Sequence, residues 1–178
     1  LFYDAGSRKS RAYSTLYQVV SGLIIGGMAI VLMMTPVRWE PGVIFDTRTI
    51  LLGLTGLFFG AIPTFIAMAI AAAYRLSLGG SGIVTGVATI VSSGLIGLIW
   101  RQYRFRRLEE LSLLELYLFG TVIHVTMILC MLLMPQELAQ KLITSLALPI
   151  MIVYPVVSAL LGMLLYNRKR RYLIEEEL

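Results

Sequence analysis

Apolar residues fall into long blocks along this chain, at about 16–35, 44–76, 82–100, 112–134 and 142–166. Short polar stretches separate the blocks, and no amphipathic period runs through them, as it would in a helix of a water-soluble domain. A transmembrane helix needs about 20 predominantly apolar residues. The pattern therefore predicts an all-α membrane protein.

The second of these blocks is too long for a single crossing. At 1.5 Å per residue it would reach roughly 50 Å, against a hydrocarbon core of about 30 Å. Gly60 and Pro63 interrupt its middle, and proline removes a backbone donor and disfavours helix at the preceding residue. We therefore divide it into two short helices, about 45–60 and 62–77. The result is a six-helix transmembrane bundle with a short-helix hairpin at about 45–77.

Composition agrees with this class, because 58% of the residues are hydrophobic and 14% are charged. Basic residues form three clusters, and with six helices all three fall on the same side, which the positive-inside rule assigns to the cytoplasm. Each cluster adjoins an apolar block, so we expect membrane lipid and not nucleic acid as its partner. The clusters are Arg8, Lys9 and Arg11; Arg101, Arg104, Arg106 and Arg107; and Arg168–Arg171.

The chain divides into three parts on this interpretation. Residues 1–15 form a cytoplasmic N-terminal segment without a cleavable signal sequence. Residues 16–166 form the transmembrane bundle, and 167–178 begin a cytoplasmic helix that leads to a module outside this chain. Because the chain lacks an initiator methionine, we expect it to be a segment of a longer protein.

Charged residues at the ends of the hairpin are the main candidates for ligand binding. Asp46 precedes a helical run, so it either caps that helix or contacts a ligand. Arg48 lies in the first turn, where the helix dipole disfavours a cation. It either extends towards the lipid interface or, as we favour, binds a carboxylate through two hydrogen bonds. Arg75 ends the partner helix, and the hairpin should bring it to the same outer rim.

Three further features are weaker candidates. Gly79 and Gly80 precede a helix, and such a turn either binds an anion or merely connects two helices. His124 is the only histidine, and Tyr154 is its candidate partner. This pair either belongs to the pocket or joins two helices. We find no metal-ligand spacing, no catalytic set and no cofactor motif, so we expect no catalytic residues, no metal and no cofactor in this chain.

The hairpin also carries motifs of a known family. The run FDTR-x-ILLGL-x-GLFFG, then P-x-x-IA, then AA-x-YRL-x-LGG-x-G-x-x-x-GV, resembles the 5TM receptor domain of the LytS–YhcK type (5TMR-LYT). The run LPIMIVYPVVSALLGMLLYNRKRR at 148–171 resembles that family's last helix. The resemblance covers roughly 16–171. It implies the multi-pass membrane input module of bacterial histidine kinases or diguanylate cyclases, in the plasma membrane with both termini cytoplasmic. It also implies a homodimer and a fold similar to small-molecule-binding subunits of vitamin transporters.

These observations lead to one expected function and one alternative. The resemblance implies a ligand such as the carboxylate pyruvate, and the residues predict a small anionic metabolite bound from outside between the second, third, fifth and sixth helices. The last helix, kinked at Pro155, would carry the signal to a histidine kinase or, next, a diguanylate cyclase. The alternative is a substrate-binding membrane component of a solute transporter. A purely structural anchor would not explain Asp46, Arg48 and Arg75.

Overall fold

The computed structural model describes residues 2–34, 37–40, 43–45, 47–104 and 111–176. Within these ranges the chain forms six helices and one pair of short antiparallel strands. The predicted all-α membrane bundle is confirmed. The elements are α1 (Phe2–Met34), β1 (Val37–Glu40), β2 (Val43–Phe45), α2 (Arg48–Phe59), α3 (Ala61–Leu78), α4 (Ile83–Arg104), α5 (Leu113–Met131) and α6 (Gln136–Glu176).

Five of the described helices contain a segment long and apolar enough to cross a membrane, and α2 is a shorter apolar helix. With 12 residues, α2 extends about 18 Å, which is less than the hydrocarbon thickness of about 30 Å. It therefore forms the short arm of the predicted hairpin, and α3 forms the longer one.

Consecutive helices run in opposite directions. Gly22 and Gly26 of α1 lie against Ile66 and Ile70 of α3, so these two helices are parallel, as alternation requires. We call one end of the bundle the Arg48 end, which holds the start of α2 and the turn at 79–82. The other is the Arg101 end, which holds the Gly60 turn, the end of α4 and the start of α5. The start of α1 and the exit of α6 lie at the Arg101 end.

The hairpin turns at Gly60, as its sequence predicts. Gly60 has a φ of 89°, which a residue with a Cβ rarely adopts. Its carbonyl accepts hydrogen bonds from the Thr64 backbone N–H at 3.4 Å and the Thr64 hydroxyl at 2.6 Å. Pro63 lies in the first turn of α3, where its missing N–H has no helical acceptor to lose.

Close glycine contacts hold α2 against α4. A Cβ on Gly56 would lie 2.7 Å from the carbonyl oxygen of Gly94, and one on Gly97 would collide with the carbonyl oxygen of Gly53. Small residues allow helix backbones to approach closely in membranes, where dispersion contacts drive helix association. This crossing fixes the position of α2 along α4.

Several boundaries differ from the predictions. The helix α1 begins at Phe2, not near 16, and continues as helix through the predicted N-terminal segment. Residues 43–45 form a strand, so α2 begins at Arg48 instead of 45. The helix α6 begins at Gln136, so it starts before the apolar block predicted at 142–166 and includes Lys141. Pro135 precedes this start and Glu137 lies in its first turn, and both favour a helix N-terminus.

Candidate functional site

Arg48 begins α2 and is buried. Only 4% of its surface is exposed, and its Nε and Nη1 atoms have no contact with solvent. The N-cap position of α2 is Thr47, whose side chain makes no capping hydrogen bond. Asp46, for which we predicted a cap or a ligand contact, lies outside the described residues. The positive end of the α2 dipole therefore adds to the charge of Arg48 instead of offsetting it.

Arg75 lies in the last turn of α3 and is 1% exposed. Among the described residues, it is the largest side chain that is fully buried. Its Nη1 donates a 2.8 Å hydrogen bond to the Gly79 carbonyl. Its stem packs on Gly86 of α4, where an added Cβ would lie 2.5 Å from the Arg75 Nε. The glycine at 86 thus makes room for this guanidinium between α3 and α4.

The two arginines lie at the same end of the bundle. The helices α2 and α4 run in the same direction and meet at Gly56 and Gly94. Arg48 lies eight residues before Gly56, and Gly86 lies eight residues before Gly94. Each interval is a rise of about 12 Å. The Gly53–Gly97 contact places Arg48 up to two turns farther along α4, so Arg48 is level with the first half of α4, where Arg75 packs on Gly86.

The same level of α4 carries two buried hydroxyl groups that our sequence analysis missed. Thr85 and Thr89 are 6% and 5% exposed. The Thr89 hydroxyl donates to the Gly86 carbonyl at 2.9 Å. The buried Thr85 hydroxyl has no hydrogen-bond partner among the described residues. We predicted a pocket between α2, α3, α5 and α6 and did not consider α4, which carries both of these threonines. The sequence did contain a signal for these two groups: a threonine lies on each side of Gly86, within one helical turn.

His124 links α5 to α2 and α6. Its ring is fully buried, with Nδ1 2.6 Å from the Gly120 carbonyl and Nε2 3.4 Å from the Thr49 hydroxyl. The ring also meets Tyr154 edge to face, with centroids 5.0 Å apart. Since Thr49 follows Arg48, this contact lies beside the buried arginine. The structure thus brings His124 and Tyr154 together and adds Thr49, which we had not singled out.

Gly79 and Gly80 form the turn between α3 and α4. Both have positive φ angles, 69° and 89°. Because glycine adopts such angles without strain, the backbone conformation alone explains why glycine occupies these positions. The Gly79 N–H bonds to the Leu76 carbonyl and so caps α3. The Gly79 carbonyl faces Arg75, so the contact observed in this turn is with a cation.

A metal ion needs several ligand side chains that lie close together. Among the described residues, no three His, Cys, Asp or Glu side chains lie close enough together to share a metal ion. In the described part of the chain, the polar groups at the Arg48 end include two guanidinium groups and several hydroxyls. Such donors suit a small anion with oxygen acceptors.

Arginines at the Arg101 end have a different environment. Arg101 Nη1 donates to the Leu57 carbonyl at 3.0 Å and so binds the last turn of α2. Arg104 forms a two-pronged ion pair with Glu115 at the start of α5, and the Trp100 indole donates to the same carboxylate at 3.2 Å. We predicted these arginines only as interfacial anchors, and we did not single out Glu115.

Comparison with known proteins identifies the family. The family model 5TM-5TMR_LYT, described as the 5TMR of 5TMR-LYT, matches residues 2–168, which is nearly the whole chain. No match was found among curated proteins or among solved structures. The match agrees with the helical architecture and with the motifs of the hairpin. The chain therefore belongs to the 5TMR-LYT family and is a membrane sensory domain of signalling proteins.

Proposed function

We propose that this domain binds a small external carboxylate between Arg48 and Arg75 and transmits binding to an output module through α6. The observation that carries the proposal is the burial of two arginines, 4% and 1% exposed, at the same end of the bundle. Burying a cation removes its hydration and costs several kcal/mol. Ionisable residues inside a membrane bundle are therefore usually kept for function.

The chemistry of the site favours a monoanion. Guanidinium groups bind carboxylates through two parallel hydrogen bonds, which gives both strength and orientation. The bond from Arg75 to the Gly79 carbonyl fixes the plane of that guanidinium before a ligand arrives. The Thr85 hydroxyl adds a buried polar group in the same turn of α4 as Gly86. An uncharged, apolar ligand would offer these groups no hydrogen-bond acceptor.

The long last helix favours signalling over the alternative, a solute transporter component. The apolar segment of α6 ends at Arg168, but the helix continues to Glu176. A continuous helix can carry a displacement from the bundle to a module beyond the membrane. The output in this proposal is a histidine kinase or, as second choice, a diguanylate cyclase, and the protein acts as a homodimer.

Charge sets the orientation in this proposal. The start of α1, the end of α4 and the exit of α6 lie at the Arg101 end, and the three basic clusters belong to these segments. The positive-inside rule then places the Arg101 end in the bacterial cytoplasm and the Arg48 end outside.

The test measures thermal stabilisation of the purified domain by pyruvate, acetate and lactate. We expect the unfolding temperature to rise with carboxylate concentration in the parent and to stay constant in Arg48→Ala and Arg75→Ala. Losing a buried, hydrogen-bonded charge pair costs about 2–5 kcal/mol, or roughly thirty- to several-thousand-fold in affinity.

Arg101→Ala is the matched control, because it removes the same side chain at the other end of the bundle. Its ligand-dependent shift should equal that of the parent. The anion site is wrong if no small carboxylate stabilises the parent while an uncharged solute does. It is also wrong if a folded Arg48→Ala variant binds the carboxylate as the parent does.

A further inference from the structure

The His124 ring has two hydrogen-bond contacts with different helices. The Nδ1 atom lies 2.6 Å from the Gly120 carbonyl, which can only accept, so Nδ1 carries a hydrogen. In the neutral ring Nε2 is then the acceptor, and the Thr49 hydroxyl donates to it at 3.4 Å. That distance is long for a hydrogen bond. The contact can therefore tighten or open with a small movement of α2.

The same ring lies beside Pro155, one of two prolines inside α6. Pro155 is inside this helix and has no N–H, so the carbonyl one turn earlier loses its helical donor. Tyr154, which meets the His124 ring, directly precedes this proline. A Cβ on Gly120 would lie 3.0 Å from the Pro155 Cα and 2.7 Å from the Ser158 Cβ. The Gly120 carbonyl and Tyr154, the partners of His124 on α5 and α6, therefore both lie next to Pro155. We call this point of α6 the Pro155 joint.

The helix α2 is held differently at its two ends. Its last turn is bound by Arg101 through the Leu57 carbonyl, and its middle is fixed by the glycine contacts with α4. Its first turn carries Arg48 and Thr49, and Thr49 is bonded across the bundle to His124. A ligand that draws Arg48 towards it would move Thr49 as well, because the two residues are consecutive.

We propose that His124 is a positioning residue that couples the first turn of α2 to the Pro155 joint of α6. The contacts run from Thr49 to the His124 ring and from that ring to Tyr154. This inference rests on the proposed function in taking Arg48 as the ligand contact. A proline inside a helix removes a backbone hydrogen bond and allows alternative packings, so a small change beside it can shift their populations.

The alternative is that His124 only joins the helices. In that case its removal changes stability but leaves the position of α6 unchanged. Spatial proximity alone does not show coupling, so the test must measure α6 while the change is made in α2.

The experiment places nitroxide labels on Ile99→Cys and Leu164→Cys in a Cys130→Ala background. Both positions are exposed on the helix surface, at 52% and 56%, and lie in the Arg101-end halves of α4 and α6. Their distance reports movement of the α6 exit. It is measured by pulsed electron paramagnetic resonance without ligand, so that a failure of carboxylate binding leaves it readable.

We expect Thr49→Val to shift this distance by about 1–2 Å or to create a second population, as helix shifts in switching proteins do. Thr55→Val is the matched control: it is the same change in the same helix, but the Thr55 hydroxyl donates to the Leu51 carbonyl of α2 itself at 2.6 Å. It should leave the distance unchanged. His124→Ala should reproduce the shift, and adding Thr49→Val to it should have no further effect.

Three results would overturn the proposal. They are a parent-like distance in Thr49→Val, an equal shift in Thr55→Val, and additive shifts for Thr49→Val and His124→Ala. Thr49→Val retains the shape of the side chain and the whole His124 ring, so the first two comparisons remain decisive even if His124→Ala does not fold. If this shift is present while no carboxylate binds, the coupling stands and the proposed ligand falls.

Discussion

The two ends of the bundle use arginine in opposite ways. At the Arg48 end, Arg48 and Arg75 are almost completely buried between helices. At the Arg101 end, Arg101 and Arg104 remain partly exposed, and they bind a helix carbonyl and the Glu115 carboxylate. In the sequence all four lie at or near the ends of predicted helices, and none of them shows how deeply it is buried. Burial thus distinguishes a candidate binding site from a set of contacts that hold helices together.

This difference has an energetic reason. A partly exposed arginine keeps much of its hydration, so pairing it stabilises the fold modestly at little desolvation cost. A buried arginine loses its hydration, and only strong, well-oriented interactions offset this desolvation cost. The Arg101 end therefore suits a permanent contact, whereas a small anion arriving at the Arg48 end would gain most from two arginines.

The largest expected effect concerns which end faces outwards. In a Cys130→Ala background, Ala61→Cys lies at the Arg101 end and Ser81→Cys at the Arg48 end, and both positions are exposed. We expect a membrane-impermeant maleimide to label Ser81→Cys in intact cells and Ala61→Cys only after the cells are opened. The effect should be all or none, because the hydrocarbon core blocks the reagent.

Labelling of both cysteines from the same side would contradict the hairpin arrangement. Reversed labelling would place the buried arginines in the cytoplasm. The proposed external ligand would then be wrong, although the comparison between the two ends would stand.

The next largest effect shows how much of the carboxylate affinity comes from the two-pronged geometry of arginine and how much from its charge. Arg48→Lys keeps the charge but cannot form the two-pronged bond with a carboxylate. We expect about a tenfold or greater loss of carboxylate affinity, or about 1.4 kcal/mol, measured by calorimetry with the acid that best stabilises the parent. Arg101→Lys is the same change at the other end and should leave affinity within twofold. Equal losses in both variants would show that the two ends do not differ in this respect.

The fold was more predictable from sequence than the site. Length, Gly60 and Pro63 were sufficient to divide the second apolar block, because a helix of that length cannot fit one crossing. Counting apolar residues did not predict the helix boundaries that are set by residues outside the apolar blocks. At the start of α6, for example, Pro135 and Glu137 favour a helix N-terminus. The strand pair before α2 was missed because Ile44 and Phe45 were counted in the apolar block that begins the hairpin.

The site was only partly predictable because burial depends on which helices meet. The unfavourable dipole of its helix singled out Arg48, but nothing in the sequence placed Arg75 on Gly86 of α4. Thr49 and Thr85 are hydroxyl residues in apolar helices, where most such groups bond to their own backbone. Only the three-dimensional contacts separate Thr49, bonded to His124, from Thr55, bonded within α2.

The smallest expected effect tests the Arg101 end as a purely structural contact. Glu115→Gln removes the charge that pairs with Arg104 but keeps an oxygen for the Trp100 indole. The side chains of Arg104 and Glu115 are 30% and 15% exposed, so solvent weakens the pair. We expect a loss of about 1 kcal/mol in the free energy of unfolding, within the range for exposed ion pairs. Denaturant unfolding in detergent micelles would measure it.

Glu137→Gln serves as the control for this last change. Both glutamates lie in the first turn of a helix, so the loss of favourable interaction with the helix dipole is similar in the two variants. The difference between them then isolates the Arg104 pair. Carboxylate affinity should stay within twofold in both, because Glu115 lies at the end away from Arg48 and Arg75. A large loss of affinity in Glu115→Gln alone would mean that the Arg101 end also controls the site, and the division between a binding end and a structural end would fail.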